Sequence, residues 1–313
     1  MGNPASVPYP KDAIARRAAI MRNSQWVQRR IYALEEREAA QLKRLLEQSR
    51  DKLSQQIVSA WQQTGAWSAT DPLYASRTEA LMQQISRELE DIVNRARSTA
   101  LEAMTQSYQG SYYGNAWILD QATSGAVNLP LLPAEAVRAA LLNPYGGMTF
   151  IDRYADARDD FVKRIRRAIV RSQIEGDSIA DAIKRLSRSL GVDVRRGGAD
   201  VGLRYRLEMI ARTEILRASN MGTLKIYSDN SDVLRGWEYI ATKDERTCDV
   251  CGPLDGKRFT FRQNRYQPPL HPNCRCAVLP VLIDAEASRK IAGERVTYDE
   301  WRRKNLVYHG ELT

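Results

Sequence analysis

The chain has 313 residues, 27% of them charged, a formal net charge of +9 at pH 7 and a pI near 9.4. That length is enough for two domains and a real core, and the charge favours anionic partners, nucleic acid first and acidic protein surfaces second. No apolar run approaches the roughly 20 residues that span a bilayer, and MGNPASVPYPKDAIARR lacks the apolar core of a secretory signal, so the chain is expected to stay in the cytoplasm where it is made, or in an assembly built there.

Residues 1–10 carry three prolines and read as an irregular arm. From about Asp12 to Gln63, Trp26, Ile31, Leu34, Leu42, Leu45, Leu53, Ile57 and Trp61 recur mostly at gaps of three, four or seven, one face of a helix. Gly65 and SATDPL break it. From Leu73 to Tyr108, Leu81, Ile85, Leu89, Ile92, Ala96, Ala100 and Met104 resume the pattern. Two long amphipathic segments joined by a short breaker read as an antiparallel helical hairpin, either a projecting arm or an ordinary helical domain. Residues 109–150 (QGSYYGN, TSGAVNLPLLP, NPYGGM) read as a loop-rich connector with room for a short helix at Ala134 to Leu142.

Helices return at Asp152. Phe161, Ile165 and Ile169 mark a buried face. Lys163, Arg164, Arg166, Arg167 and Arg171 lie around the remainder, as a candidate grip on DNA phosphates or as a solvated basic face. GDSIADAIKRLSRSLG carries its own helix, with Asp177 or Ser178 as N-cap and Gly191 as stop; RRGGAD is the next loop. From Leu203 to Ser228, Leu203, Leu207, Ile210, Ala218 and Met221 form one stripe that includes Glu214. A carboxylate there must be paired, with Arg212 or the arginines near the cysteines as candidates; the alternative is a general acid or base. WEYIAT, GKRFTF and CRCAVLPVL read as three short strands, and 284–304, containing TYDEW, as a last helix.

All four cysteines lie between Thr247 and Cys276. Cys248 and Cys251 form C-x2-C, and His271 and Cys274 form a second x2 pair after an intervening loop. Two such pairs are the usual signature of a tetrahedral zinc site. Cys276 is a fifth donor, two residues from Cys274 and so on the same face of an extended chain; Cys274 is preferred because its pairing mirrors that of Cys251. Disulfides, or reduced thiols in a small core, remain the alternatives. The expected fold is mainly α, with a long N-terminal helical hairpin and a small C-terminal α+β domain whose short sheet surrounds the Cys/His cluster.

The run ARTEILRASN, then WEYIATKDERTCDVCGPLDGK, then PPLHPNCRC, resembles the phage Mu F-like head morphogenesis family, the minor head or minor capsid proteins of tailed phages. Arg212, Thr213, Glu214, Asp244, Arg246, Cys248, Cys251, Gly256, His271 and Cys274 sit where the family motif has them, and the resemblance covers about residues 155–283. It divides the chain into an N-terminal arm and connector (1–150), a Mu F-like domain (151–283) and a C-terminal helix and tail (284–313). Arg212, Glu214, Asp244 and Arg246 are read as structural, Glu214 because a carboxylate on an apolar stripe needs a partner, and no residue is read as catalytic. The resemblance further implies a virion protein of few copies at the portal vertex or capsid interior. The partners implied are portal protein, major capsid or scaffold protein and double-stranded DNA, with no membrane. Some family members carry fused enzymatic domains; the short stretch after the motif is expected to leave no room for one. Two other functions are weaker. A nuclease or hydrolase would use His271, Glu214 and Asp244 around a metal, but four or five sulfur and nitrogen donors suit a closed structural site better. A zinc-dependent DNA-binding regulator would need a base-reading helix after the cysteines.

Overall fold

The computed structural model describes residues 13–64, 74–123, 125, 127–175, 177–190, 202–245, 247–283 and 296–306. The N-terminal arm, the breaker with Gly65, the RRGGAD loop, Gly191, Arg246 and the C-terminal tail lie outside the described residues, as does the side chain of Trp61. Seven helices are described: α1 (Ala13–Thr64), α2 (Tyr74–Thr123), α3 (Ala134–Leu142), α4 (Phe150–Glu175), α5 (Ile179–Leu190), α6 (Leu203–Asp229) and α7 (Tyr298–Leu306). Three antiparallel strands, β1 (Leu234–Ile240), β2 (Arg258–Phe259) and β3 (Ala277–Leu282), form a sheet in the order β2-β1-β3. The mainly helical class and the small sheet beside the cysteines are as expected. Tyr239 pairs with Val278 and Trp237 with both Phe259 and Pro280. Pro280 offers no N–H on the edge strand β3, which blunts pairing there.

The buried stripe of α1 is more regular than its apolar residues suggest. Val27, Ile31, Glu35, Glu38, Leu42, Leu46, Ser49, Leu53 and Ile57 are buried. On α2, Thr78, Met82, Ile85, Leu89, Val93, Ala96, Ala100, Met104, Ser107 and Ser111 are buried in the same rhythm of gaps, four, four and three. That rhythm makes a repeat of about 11 residues, or 3.67 per turn and close to the natural 3.6, so the stripe stays on one side without the left-handed wrap of a heptad repeat. Two expected core positions, Leu34 and Leu45, are only half-buried. The stripe runs instead through Glu35 and Leu46.

The connector is shorter than expected, because α2 continues to Thr123 through GSYYGN. Gly114 is no loop signal: a Cβ there would lie 2.8 Å from Val27 Cγ2, so the glycine marks a close helix crossing. Tyr112, Tyr113 and Trp117 point into the core. The short helix at Ala134–Leu142 is present as expected.

Contacts divide the chain into two compact units, and α1, α2 and α6 contribute residues to both. One comprises Glu36–Glu102 and Leu142–Arg212. In it α1 and α2 run antiparallel: Thr99 Oγ1 donates to Glu38 Oε1 (2.6 Å), and further along Lys52 pairs with Glu88. Thr149 caps α4, its Oγ1 accepting from Asp152 N–H (3.1 Å) while Asp152 accepts from Thr149 N–H (3.0 Å). Ser178, as expected, caps α5 through Asp181 N–H (3.2 Å).

The other unit comprises Met1–Glu35, Ala103–Leu141 and Thr213–Thr313. Here Trp26 of α1 meets Trp117 of α2 edge-on at 5.9 Å, and Tyr298 of α7 meets both rings. Trp301 Nε1 donates to Asp120 (3.0 Å). Helices α2 and α6 are joined by a buried polar ladder whose rungs keep a constant sequence offset. Ser107 Oγ donates to Ile215 O (2.8 Å), Ser111 Oγ lies 2.7 Å from Ser219 Oγ, and Asn115 Nδ2 donates to Thr223 Oγ1 (3.1 Å). A constant offset means the two helices run parallel. Between these rungs Gly222 lies so close to α2 that a Cβ would stand 2.2 Å from Tyr108 O. Sequence periodicity assigns α6 one apolar stripe, yet every residue from Thr213 to Asn220 is buried. A helix buried on all sides loses its amphipathic pattern.

Candidate metal centre

The cysteines sit on two loops that the sheet holds together. The first leaves β1 and turns at Thr247, whose Oγ1 donates to Thr242 O (2.6 Å) and accepts from Asp244 N–H (2.9 Å). Cys248 and Cys251 follow in a tight turn, closed by Gly252 N–H to Cys248 O (2.9 Å). The second loop carries His271, Asn273 in the left-handed region (φ 59°) and Cys274, whose N–H returns to His271 O (3.2 Å). It is pinned through backbone atoms. Asn273 N–H donates to Thr213 Oγ1 (2.9 Å), Asn220 Nδ2 to Cys276 O (3.1 Å), and Tyr32 and Thr242 hydroxyls to Arg275 O (3.2 and 2.8 Å).

This brings all five expected donors together as two overlapping triads. Cys248, Cys251 and His271 form one, Cys251, Cys274 and Cys276 the other, each with ligand atoms within 4.8 Å of one another. His271 Nε2 lies 3.1 Å from Cys248 Sγ and 3.2 Å from Cys251 Sγ. Its other nitrogen, Nδ1, is 2.8 Å from Pro272 O, so Nδ1 donates and Nε2 presents its lone pair to the sulfurs. Cys251 and Cys274 sulfurs are 3.8 Å apart. Two thiolates on a tetrahedral zinc with 2.3 Å bonds would be separated by about 3.8 Å. The donor set therefore fits a soft or borderline divalent ion.

The protonation of the cluster is asymmetric. A hydrogen bond from the Cys276 thiol brings the Cys274 thiol down to about 5, with help from backbone N–H groups and His271. The same hydrogen bond, and burial, drive Cys276 far upward. The direction favours Cys274 as the thiolate and Cys276 as its hydrogen-bond donor, which suits Cys274 as ligand and Cys276 as the group behind it. Burial pushes Cys251 up to about 11. Burial also opposes ionisation of Cys248, but the N–H and side chain of Cys251 outweigh it and lower the thiol. Tyr239, a buried phenol kept neutral by desolvation, donates to Cys251 Sγ (3.2 Å). A bound cation would supply the positive charge that burial withholds from these sulfurs.

The acidic residues singled out in the sequence are engaged elsewhere. Glu214 is buried and accepts from Arg217 (3.0 Å), which is also buried. Arg217 is a partner that sequence reasoning missed, although its i,i+3 spacing was legible. Arg212 is half-buried on α6. Asp244 takes a two-pronged grip from Arg275 (2.5 and 2.7 Å). The basic candidates lie on α4. Arg164 is paired with Asp160, Arg166 with Glu79 and Arg171 with Glu175. Lys163 and Arg167 are exposed and hold no carboxylate among the described residues.

Residues 163–279 match the family described as Phage Mu protein F like protein. This stretch, 117 of the 313 residues, is similar to the phage Mu F-like family. The match contains every cysteine, the Glu214–Arg217 pair, the whole of β1 and β2 and the start of β3. The chain is also 26% identical over 219 residues to a protein of Enterococcus faecalis (strain ATCC 700802 / V583) named NAD(+)--arginine ADP-ribosyltransferase EFV. That alignment takes in 63% of this chain and 42% of the relative, so the chain spans less than half of that protein. No solved structure matches. Among the described residues no helix of the Mu F-like segment, or of the rest of the chain, is long and apolar enough to cross a membrane.

Proposed function

We propose that the chain is a structural, non-catalytic minor head protein of a tailed phage, acting in head morphogenesis through contacts with portal, capsid or scaffold protein. The match of residues 163–279 to the Mu F-like family supports the head role. The observation that carries the non-catalytic part is the state of the acids. Glu214 and Asp244, the acids a nuclease or hydrolase would use here, are each paired with an arginine, Arg217 and Arg275. The cluster holds zinc through Cys248, Cys251, His271 and Cys274, with Cys276 donating to Cys274. That ion ties the turn after β1 to a loop already pinned on α1 and α6, so its work is to fix the module's shape. The transferase activity named for the E. faecalis relative is not carried over, since less than half of that protein is aligned.

Of the five basic candidates on α4, Lys163 and Arg167 are the ones that hold no carboxylate among the described residues, and they are the proposed contact with packaged DNA. Two phosphate contacts give a salt slope of about −1.8, or about tenfold weaker binding between 50 and 200 mM salt. The test is co-sedimentation of the purified chain with portal assemblies, with capsid protein and with duplex DNA at those two salt concentrations. Binding to portal or capsid protein without hydrolysis of DNA is the expected result. Binding to neither head protein, or a hydrolytic activity lost in Glu214→Gln, would overturn the reading.

A further inference from the structure

A cavity of about 270 Å³ lies between the start of α1 and the sheet, inside the unit that holds both. That volume is close to the low end, about 300 Å³, of ordinary small-ligand pockets. Arg16 and Arg17 of α1, Arg235 of β1 and Arg258 of β2 line it, together with one carboxylate, Glu238 of β1. Glu238 is buried and shared: Arg17 and Arg258 both donate to it, Arg258 at 3.3 Å. One carboxylate cannot neutralise two guanidiniums, and each guanidinium has five N–H donors, so both keep some to spare. Arg235 is exposed and meets no carboxylate among the described residues. Asp255, the other acid near Arg17, is taken by Lys243 (2.6 Å) and the Ala241 N–H (3.0 Å). Arg17, Arg235 and Arg258 against Glu238 therefore leave two positive charges around one small space, and Arg16 is buried in the same wall.

Local geometry gathers these cations against their mutual repulsion. Strand β1 slips register on β3 between Leu234 and Gly236, which leaves Arg235 as the extra residue of a β-bulge, a device that re-aims a side chain. The bulge depends on Gly236, where a Cβ would stand 2.0 Å from Phe259 O. Arg16 and Arg17 sit at the start of α1, whose first turn holds no acidic residue, so the positive end of the helix adds to the field. Two charges in one small space favour a group that carries both. A phosphate monoester has nearly two negative charges at pH 7 and oxygens that match the guanidinium fork. A carboxylate carries one, so a protein partner would have to bring two acidic side chains to the same point. We infer that this cavity binds a phosphate monoester, its oxygens on Arg17, Arg235 and Arg258 and its organic part on Ile20, Leu279 and Val281. The site shares no residue with the metal cluster and does not rest on the head-protein reading.

The experiment is calorimetry on the full chain at fixed ionic strength, with phenyl phosphate as the probe and phenyl sulfate as its singly charged counterpart of the same shape. One phenyl phosphate per chain is expected, bound about tenfold or more tightly than phenyl sulfate. Arg235→Gln and Arg258→Gln, both at exposed positions, are each expected to weaken it by about tenfold or more while melting as wild type does. Arg167→Gln, on α4, is expected to leave it unchanged. Competition by an oligonucleotide with a 5′-phosphate, and not by its 5′-hydroxyl form, gives a nucleic-acid end as the source of the ester; competition by neither gives a small ester, and both outcomes support the site. Equal competition by the two forms would mean a general attraction to polyanions and overturn the inference. No binding of phenyl phosphate, equal affinity for the two probes, or Arg235 and Arg258 variants that bind as wild type does would also overturn it, as would a tri-aspartate peptide that binds as tightly as phenyl phosphate. Each failure leaves the head-protein reading standing, because that is judged on binding to portal and capsid assemblies.

Discussion

Replacing Gly222 by alanine tests the α2–α6 ladder directly. The new Cβ would stand 2.2 Å from Tyr108 O and 3.0 Å from its carbonyl carbon. A carbon–oxygen contact is comfortable at about 3.3 Å, so the helices must part by about 1 Å. The rungs on either side, Ser111–Ser219 at 2.7 Å and Asn115–Thr223 at 3.1 Å, then exceed any hydrogen-bonding distance. Each lost bond costs about 1 kcal/mol net, more if its atoms stay dry. Alanine's helix propensity gives back about 1 kcal/mol, and Ser107–Ile215 is strained as well. The expected loss is about 2–3 kcal/mol. The control is Gly114→Ala, whose Cβ meets side-chain atoms of Val27 (Cγ2 at 2.8 Å, Cγ1 at 3.2 Å) rather than backbone; it should cost about 1–2 kcal/mol, less than Gly222→Ala. Urea denaturation gives the totals, and hydrogen exchange on α6 and the end of α2 locates them. A Gly222→Ala protein as stable as wild type, or a Gly114→Ala protein damaged equally, would refute the reasoning.

One metal ion per chain is expected in protein purified without added metal. Cys248→Ser and Cys274→Ser should lose it and Cys276→Ser should keep it; elemental analysis decides, and loss in Cys276→Ser would exchange the roles of the last two cysteines. Glu214→Ala should cost about 3–5 kcal/mol by stranding a buried arginine, while the double change Glu214→Leu with Arg217→Met should recover most of it. Equal losses in the single and double variants would mean the pair is not the source. Burial raises the pKa of Glu38 against the hydrogen bond from Thr99. A carboxyl raised on folding favours the folded state only while protonated, so that contribution is full below its unfolded pKa and disappears as pH rises through the folded value. Glu38→Gln should therefore stabilise at pH 7, with the gain shrinking toward pH 4. A gain independent of pH in thermal melts would exclude this cause.

What was legible in the sequence was local. The x2 pairs, the Ser178 cap, the short helix at 134–142 and all three strands follow from spacing and neighbouring residue types. What was not legible depended on partners far along the chain. Glu35, Glu38 and Ser49 occupy core positions in α1 that a search for apolar residues passes over. Gly114 reads as a breaker until Val27 is beside it. The all-round burial of α6 hides its faces, so its ladder to α2 leaves no trace in periodicity. Thr213, Asn220 and Tyr32 hold the second cysteine loop by its backbone, and no pattern in the loop names them. Tyr239 reads only as a strand residue, although its hydroxyl points at Cys251.

The long sequence offset between the rungs of α2 and α6 also sets a clock for synthesis. A ribosome adding about 5–20 residues per second needs about 5–20 s to make the partner of each α2 rung after the rung itself has emerged. Throughout that interval Ser107, Ser111 and Asn115 face water or a chaperone, and the second cysteine loop that braces Tyr32 has not yet been made. The described part of α1 in this unit, Ala13–Glu35, is thus made early and fixed late, and its unit closes only when the sheet arrives. Truncated nascent chains ending before residue 230 should accordingly leave the end of α2 open to protease.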